Sequence, residues 1–331
     1  MKFTKYNSIE NTYREKTIEQ IRFDGLEDGL WEVSNKIDGA NFSVHYDGKE
    51  IRYAKRSGFI GGNEDFYNFR SIEEKLESYI KKAWAYLKSK YVTFECLSIY
   101  GELFGGSYPN IKSNVKAIQN RVKYSPEIEF YAVDIKVDTF YLDFDYKIDV
   151  FKNSDIPYSP ILFTGTFDEC LEFSPIFEDP IYKDFGLEKV EGNMSEGIVI
   201  KSFIPKFFGC GSRVILKNKN PKFSEKEKTK KKKQKIEYSP ELSKEIEELE
   251  SFVNENRLRS ALSKIGDVTD KDFGKIMKEL NSDVLEDYMR ENSQKYNELE
   301  KSEQKLLFKS LNQSSSTLIR ENFLNIIDRN F

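Results

Sequence analysis

The sequence predicts an α+β fold in two parts: a large domain of antiparallel sheets with flanking helices, then a small all-α domain. Three observations lead there. Over the first 220 residues, runs of period-2 alternation outnumber helical patterns and come partly as hairpins. Beyond residue 239 the period changes to that of amphipathic helices. Between the two lies a charged stretch, at about 225–240, without apolar periodicity.

The elements follow in order. Phe42, Val44 and Tyr46 alternate on one side of a strand over 40–46. Asp47-Gly48 supplies a hairpin turn, and Ile51 to Lys55 returns. Ser71-Ile72-Glu73-Glu74 fits a capping box for a helix over about 71–89, with Ile72, Leu76, Tyr79, Ile80, Ala83 and Leu87 on one stripe. Further strands are expected over 91–100, 128–137, 197–203 and 213–219. Ser239-Pro240 reads as an N-cap with proline at the first helical position. Leu242, Ile246, Leu249 and Val253 form the first C-terminal stripe, and Leu258, Leu262 and Ile265 the second, ended by Gly266. Thr269 with Asp272 opens a third, and further helices are expected over about 282–292, 298–312 and 316–328.

Composition excludes several classes. The chain has 331 residues and a net charge of -4. Only 38% is hydrophobic, but 26 Phe and 19 Tyr bury much apolar surface per residue, so a packed core is expected and wholesale disorder is not. No apolar run approaches the roughly 20 residues a membrane span needs. The first 16 residues lack a signal-peptide core, and three scattered cysteines argue against a disulfide or zinc scaffold. An intracellular, cytoplasmic protein is expected. His45 is the only histidine. It alternates within the first hairpin and reads as structural. Charge is uneven: residues 200–240 carry 13 Lys/Arg against 3 acids, while 241–331 carry a net of -5. The basic stretch reads equally as a solvated linker and as a contact for a phosphate-rich partner.

The chemistry is carried by an ordered set of short motifs. Lys36-Ile37-Asp38-Gly39 lies between strand-like runs, and Ala54-Lys55-Arg56-Ser57-Gly58 follows the hairpin. Tyr100-Gly101-Glu102-Leu103, Phe130 to Ile135, Glu196-Gly197-Ile198-Val199-Ile200-Lys201 and Arg213 to Lys219 complete it. On the last strand, Arg213, Ile215, Lys217 and Lys219 share one face and Val214 and Leu216 the other, so two lysines are paired as a phosphate clamp would require.

Together these motifs resemble the RNA ligase 2 family, the double-strand nick-sealing branch of the covalent nucleotidyltransferases. Lys5 to Asn11 resembles its N-terminal signature, Asn41-Phe42-Ser43 the sequence after its nucleophile, and Lys222 to Lys226 the end of its catalytic domain. Ser263 to Gly266 and Lys271 to Lys275 resemble its helical domain. DNA ligases and capping enzymes continue with a β-rich OB domain instead. The resemblance implies an adenylyltransferase domain over 1–225, a Lys-rich linker over 226–238 and a helical RNA-docking domain over 239–331. It implies an ATP-dependent RNA ligase using Mg2+ (or Mn2+) and acting on nicked double-stranded RNA; a monomer is the default expectation.

The same resemblance assigns roles. Lys36 is the nucleophile that carries AMP, and a lysine amine must be uncharged to attack, a form that burial or nearby cations favour. Glu102 holds the ribose, and Glu196 helps bind the metal. Lys217 and Lys219 stabilise charge on the α-phosphate. Arg56 contacts phosphate or the RNA ends, and Asn41 positions the 5′-phosphate. Asp134 is expected either as a metal-facing acid or as one that supports the metal-facing groups from behind, and Lys201 as a contact to the base edge or phosphate of the nucleotide. Many family members stack the adenine on an aromatic residue where this chain has Val133, so the base is expected to rest on an aliphatic face. Two alternatives stand: a catalytically weak RNA-end-binding protein, and a capping-type guanylyltransferase.

Overall fold

The computed structural model describes residues 1–90, 93–225 and 239–331. The chain forms two compact units, Met1–Lys222 and Phe223–Phe331. The Lys-rich run and the beginning of the strand expected over 91–100 fall outside the described residues.

The larger unit is built on two sheets. The first has the order β1 (Glu10–Asn11), β11 (Ile215–Lys219), β10 (Gly197–Ser202), β2 (Trp31–Asn35), β9 (Ile161–Gly165). The second runs β5 (Gly58–Phe59), β4 (Ile51–Lys55), β3 (Ala40–Tyr46), β6 (Leu97–Gly105), β7 (Ile128–Val137), β8 (Phe140–Tyr141). Every pair is antiparallel except β1 with β11.

Period-2 alternation sorts the side chains of each sheet. Outer residues of the first sheet, Trp31, Val33, Ile198, Ile200, Val214 and Leu216, pack with α1 (Glu15–Phe23) and α4 (Phe167–Glu172) through Ile21, Phe167 and Cys170. Those of the second, among them Phe42, Val44, Ile99 and Phe130, pack on α2 (Glu73–Lys90) and α3 (Phe144–Asn153) through Leu76, Ile80, Ala83 and Phe151. The inner faces meet in a mixed layer where Ile215 and Val199 of one sheet touch Tyr100, Tyr141 and Val133, with Tyr6 and Ile9 of the N-terminal segment. That segment ties the sheets together: Tyr100 donates to the Thr4 carbonyl at 2.9 Å, and Tyr141 to Asn7 Oδ1 at 2.8 Å.

Local structure departs from expectation at two places in this unit. Ser71 does not cap α2, because its hydroxyl donates to the Asn68 carbonyl and a 3-10 turn over Phe69–Ile72 leads straight into the helix. β6 begins only at Leu97, since Phe94 turns back to pack its ring on Trp84. The hairpin forms as read, with Asp47 Oδ1 accepting the amides of Lys49 and Glu50 at 3.0 and 2.9 Å.

The second unit is helical: α5 (Pro240–Glu250), α6 (Glu255–Ile265), α7 (Phe273–Glu298) and α8 (Lys301–Ile327). Ser239 caps α5 and Asn254 caps α6 through side-chain oxygens. Four expected segments merge into two long helices. α7 runs through Asn281 and bends at Asn292, where φ is -127°. α8 runs unbroken through Ser314-Ser315-Ser316. Ser310 and Ser314 donate to Glu250 Oε1 on α5 at 2.5 and 3.0 Å, so serines that favour loops in isolation are bound within the helix. Ser224 and Glu225 belong to this unit, their carbonyls accepting from Asn256 and Arg257.

Candidate active site

Three strand ends converge on one carboxylate. Lys36 follows β2 and donates from Nζ to Glu196 Oε2 at 2.6 Å. Lys219 closes β11 with its Nζ 2.8 Å from Glu196 Oε1. The backbone explains the convergence. β10 lies between β2 and β11, and the Lys36 amide donates to the Gly197 carbonyl at 2.9 Å. Gly197 adopts φ +146°, and a Cβ there would lie 2.2 Å from the Asn218 carbonyl oxygen. Only glycine permits this approach, which brings the Glu196 side chain over the two lysines.

The carboxylate is nearly closed off, with 4% of its side chain exposed. Burial works against its charge, but Lys219, Lys36 and Arg121 outweigh burial and hold the carboxyl down at about 2. Glu102 on β6 behaves oppositely. Burial pushes it up to about 8, opposed by Lys36 and Arg56 and reinforced by Glu196 and Asp38, which places all five groups in one electrostatic neighbourhood. Asn41 on β3 stands opposite Glu102 in the sheet register. Lys217 precedes Lys219 by two on the inner face of β11, opposite Val199 of β10. Arg56, just beyond β4, donates to the Tyr6 carbonyl at 2.8 Å.

Two expected residues go elsewhere. Asp134 and Lys201 lie in a buried ionic cluster with Glu32, Lys147, Arg213 and Tyr6. Arg213 reaches Asp134 at 3.0 and 3.4 Å, Lys201 is 3.3 Å from both Asp134 and Glu32, and Lys147 is 2.6 Å from Glu32. Tyr6 donates a short hydrogen bond to Asp134. Although burial opposes ionisation, Arg213, Lys201 and Lys147 hold Asp134 far below the usual carboxylate range. Its oxygens accept from Tyr6, Arg213 and Lys201 inside this cluster. Lys201 donates to the Val133 carbonyl at 2.8 Å and sits within the same cluster. For both residues the structure shows partners within this buried ionic cluster.

His45 lies in the same inner layer, between Ser43 and Ser98 at 2.9 and 2.7 Å. Burial, then Arg52 and Lys136, push its imidazole down to about 4, so it is neutral at physiological pH.

Sequence reasoning missed the Asp38–Arg121 pair. Arg121 Nε reaches Asp38 Oδ2 at 2.9 Å and its NH2 reaches Oδ1 at 2.5 Å, a bidentate contact across 83 residues. The Asp38 amide donates to Tyr124 Oη at 2.8 Å. The Asp of Lys-x-Asp-Gly was a signal that a cation is needed there; nothing in the loop marked Arg121 as that cation.

Two family models cover this architecture. Residues 29–219 match the RNA ligase family, and residues 236–317 match the T4 RNA ligase 2 C-terminal family. The chain belongs to the RNA ligase family. Among curated relatives, RNA-editing ligase 1, mitochondrial, of Trypanosoma brucei brucei is 31% identical over 225 residues, 56% of this chain and 48% of that protein. RNA-editing ligase 2, mitochondrial, of the same organism is 29% identical over 228 residues, 60% of this chain and 55% of that one. The chain thus spans about half the length of these relatives. A solved structure of Naegleria gruberi RNA ligase, a variant with AMP and Mn, covers 67% of this chain and 57% of its own, at 16% identity and a TM-score of 0.44, too low to bear on the site.

In this RNA ligase chain the site offers one ionised hard oxygen donor, Glu196, beside a row of cations, with the carboxyl of Glu102 in the same electrostatic neighbourhood. Among the described residues no group of three or more His, Cys, Asp or Glu forms a metal cage. Such a donor set fits a magnesium- or manganese-type ion that keeps most of its ligands as water and phosphate oxygen.

Proposed function

We propose that this chain is an ATP-dependent RNA ligase that seals 3′-OH/5′-phosphate nicks in duplex RNA through a lysyl-AMP intermediate. One observation carries the reading: Lys36 and Lys219 meet on the buried carboxylate of Glu196, with Glu102 beside them. A nucleophilic amine, a phosphate-directed cation and two oxygen donors are what adenylyl transfer to a lysine requires.

The steps balance as follows. Lys36 Nζ sheds a proton and attacks the α-phosphorus of ATP; a P–N bond forms, and the bond to the β-phosphate breaks as pyrophosphate leaves with its electron pair. The 5′-phosphate of the nick then attacks the same phosphorus, forming a P–O–P link and releasing Lys36. Last, the 3′-hydroxyl attacks the capped phosphate, gives up its proton and expels AMP. Glu196 pairs with the Lys36 ammonium in the resting site, so the amine becomes nucleophilic only when that pairing is released. Lys217 and Lys219, on one face of β11, oppose the charge that develops on the α-phosphate. In this reading Glu102 takes the ribose hydroxyls, Arg56 and Asn41 take the RNA ends, and Val133 with Val199 forms an aliphatic adenine seat. A divalent ion bound at Glu196 would neutralise phosphate charge.

RNA as substrate is supported by the names of the Trypanosoma relatives, and duplex docking by the helical unit, which suits recognition of A-form shape and 2′-hydroxyls. We extend the proposal to a monomer working in the cytoplasm. Among the described residues no helix is long and apolar enough to cross a membrane. The test is incubation of the protein with magnesium and ATP labelled at the α-phosphate, followed by a nicked RNA duplex. Label on the protein that chases into sealed product supports the reading. RNA binding without label favours an end-binding protein, and preferential label from GTP favours a capping-type enzyme.

A further inference from the structure

Alternation along β2 places Lys36 on the inner face and Asn35 on the outer, at the end of the apolar row Trp31 and Val33. Asn35 is 2% exposed, so its amide must find partners inside the protein. It finds two. Nδ2 donates to Asp179 Oδ2 at 2.8 Å, and Oδ1 accepts from Ser195 Oγ at 2.5 Å. Asp179 is equally buried, and its second oxygen accepts the Ile181 amide at 2.9 Å. Ser195, fully buried, immediately precedes Glu196. One unbroken line of side chains therefore links the residue before Lys36 with the residue before Glu196, on the side of the sheet facing away from the reacting groups.

Asp179 decides which way this line runs. An ionised carboxylate only accepts, so the NH2 of Asn35 must face it and the amide oxygen must face Ser195. The serine hydroxyl then donates to Asn35 Oδ1 and shares its proton with the Asp179 carboxylate. Further backbone bonds anchor the line, from Asp179 N to Asn193 O at 2.9 Å and from Ser195 N to Phe177 O at 3.0 Å. Burial pushes the Asp179 carboxyl up to about 6, against the hydrogen bonds of Asn35, Ile181 and Ser195, and Asp184 adds to the rise. Above that pH it is charged.

We propose that Asp179 is a positioning residue for the covalent step: acting through Asn35 and Ser195, it fixes the backbones that set Lys36 against Glu196. The inference rests on Lys36 being the nucleophile. Asp179 touches no reacting atom. Asparagine in its place has one acceptor oxygen where the carboxylate has two, so either the Ile181 amide or the Asn35 amide loses its partner. A displacement of Lys36 by a fraction of an ångström then lowers the rate of attack without altering the groups that bind the nucleotide.

The experiment is rapid-quench labelling of the full chain with α-phosphate-labelled ATP, with ATP varied, in wild type, Asp179→Asn, Asn35→Ala and the double variant. The expected result is a maximal rate about tenfold or more lower in Asp179→Asn, with half-saturating ATP within about twofold of wild type. The double variant is expected to lose no more than the worse single one, because both act through one chain. If Asp179→Asn fails to fold, Ser195→Ala cuts the same line at its far end and is expected to show the same split. A folded variant that labels at the wild-type maximal rate, or losses in the two single variants that multiply, overturns the inference while leaving Lys36 as nucleophile intact. A wild type that takes no label overturns both.

Discussion

Replacing Asp134 by asparagine separates a structural ion from a metal ligand. The cluster around it holds three cations, Lys147, Lys201 and Arg213, against two carboxylates, Glu32 and Asp134. The side chains concerned are at most 4% exposed, so water cannot take over a lost partner. Asp134→Asn raises the excess charge from +1 to +2 and leaves Arg213 and Lys201 facing an amide. Removing one partner of a buried ion pair costs about 3–5 kcal/mol. At roughly 2–4 °C per kcal/mol for a unit of this size, the melting temperature should fall by about 6–20 °C. The assay is thermal unfolding of wild type and variant, followed by circular dichroism without added metal. Adding Lys201→Met, which removes one surplus cation, should recover part of the loss. A variant that melts within about 2 °C of wild type, yet needs much more magnesium for labelling, would refute this reasoning and return Asp134 to the metal.

Other expectations follow from the same geometry. His45, held at about 4 when folded against an ordinary 6.5, stays neutral in the native state while the unfolded chain takes up a proton. Its contribution, about 3 kcal/mol, is present above pH 6.5 and is lost as the pH falls from 6.5 to 4. Urea unfolding of wild type and His45→Asn across that window should show the shallower pH dependence in the variant; parallel curves would contradict it. Gly39→Ala would place a Cβ 2.1 Å from the Leu103 carbonyl oxygen and 2.9 Å from Glu102 Cγ. Because that shift displaces the Lys36 loop, covalent labelling should slow by about 100-fold, and a rate within threefold of wild type would show that the loop yields freely.

The meeting of Lys36, Lys219 and Glu196 was legible because the residues sit in short motifs whose order resembles a known family. Lys36, Glu196 and the Lys217–Lys219 pair sit in short motifs whose spacing fixes their faces, and Asp47-Gly48 determines a hairpin by turn geometry alone. What could not be read depends on distant partners. Asp134 sits in a strand as a functional acid would, yet Arg213, Lys201, Lys147 and Tyr6 arrive from four other segments and absorb its charge. Arg121 is one cation in a loop with several, and only the fold delivers it to Asp38. Ser314-Ser315-Ser316 looks like a break in isolation, yet α8 runs through it, with Ser310 and Ser314 donating hydrogen bonds to Glu250 on α5. Propensity reasons about a residue and its neighbours in sequence; these three outcomes were decided by neighbours in space.

The most direct measurement is peptide mapping by mass spectrometry after the protein has been incubated with ATP and magnesium. A single AMP adduct on Lys36, absent from Lys36→Ala and acid-labile as a phosphoramidate is, is the predicted result. An adduct on Lys217, Lys219 or any other side chain, or none with ATP and magnesium both present, would contradict the account.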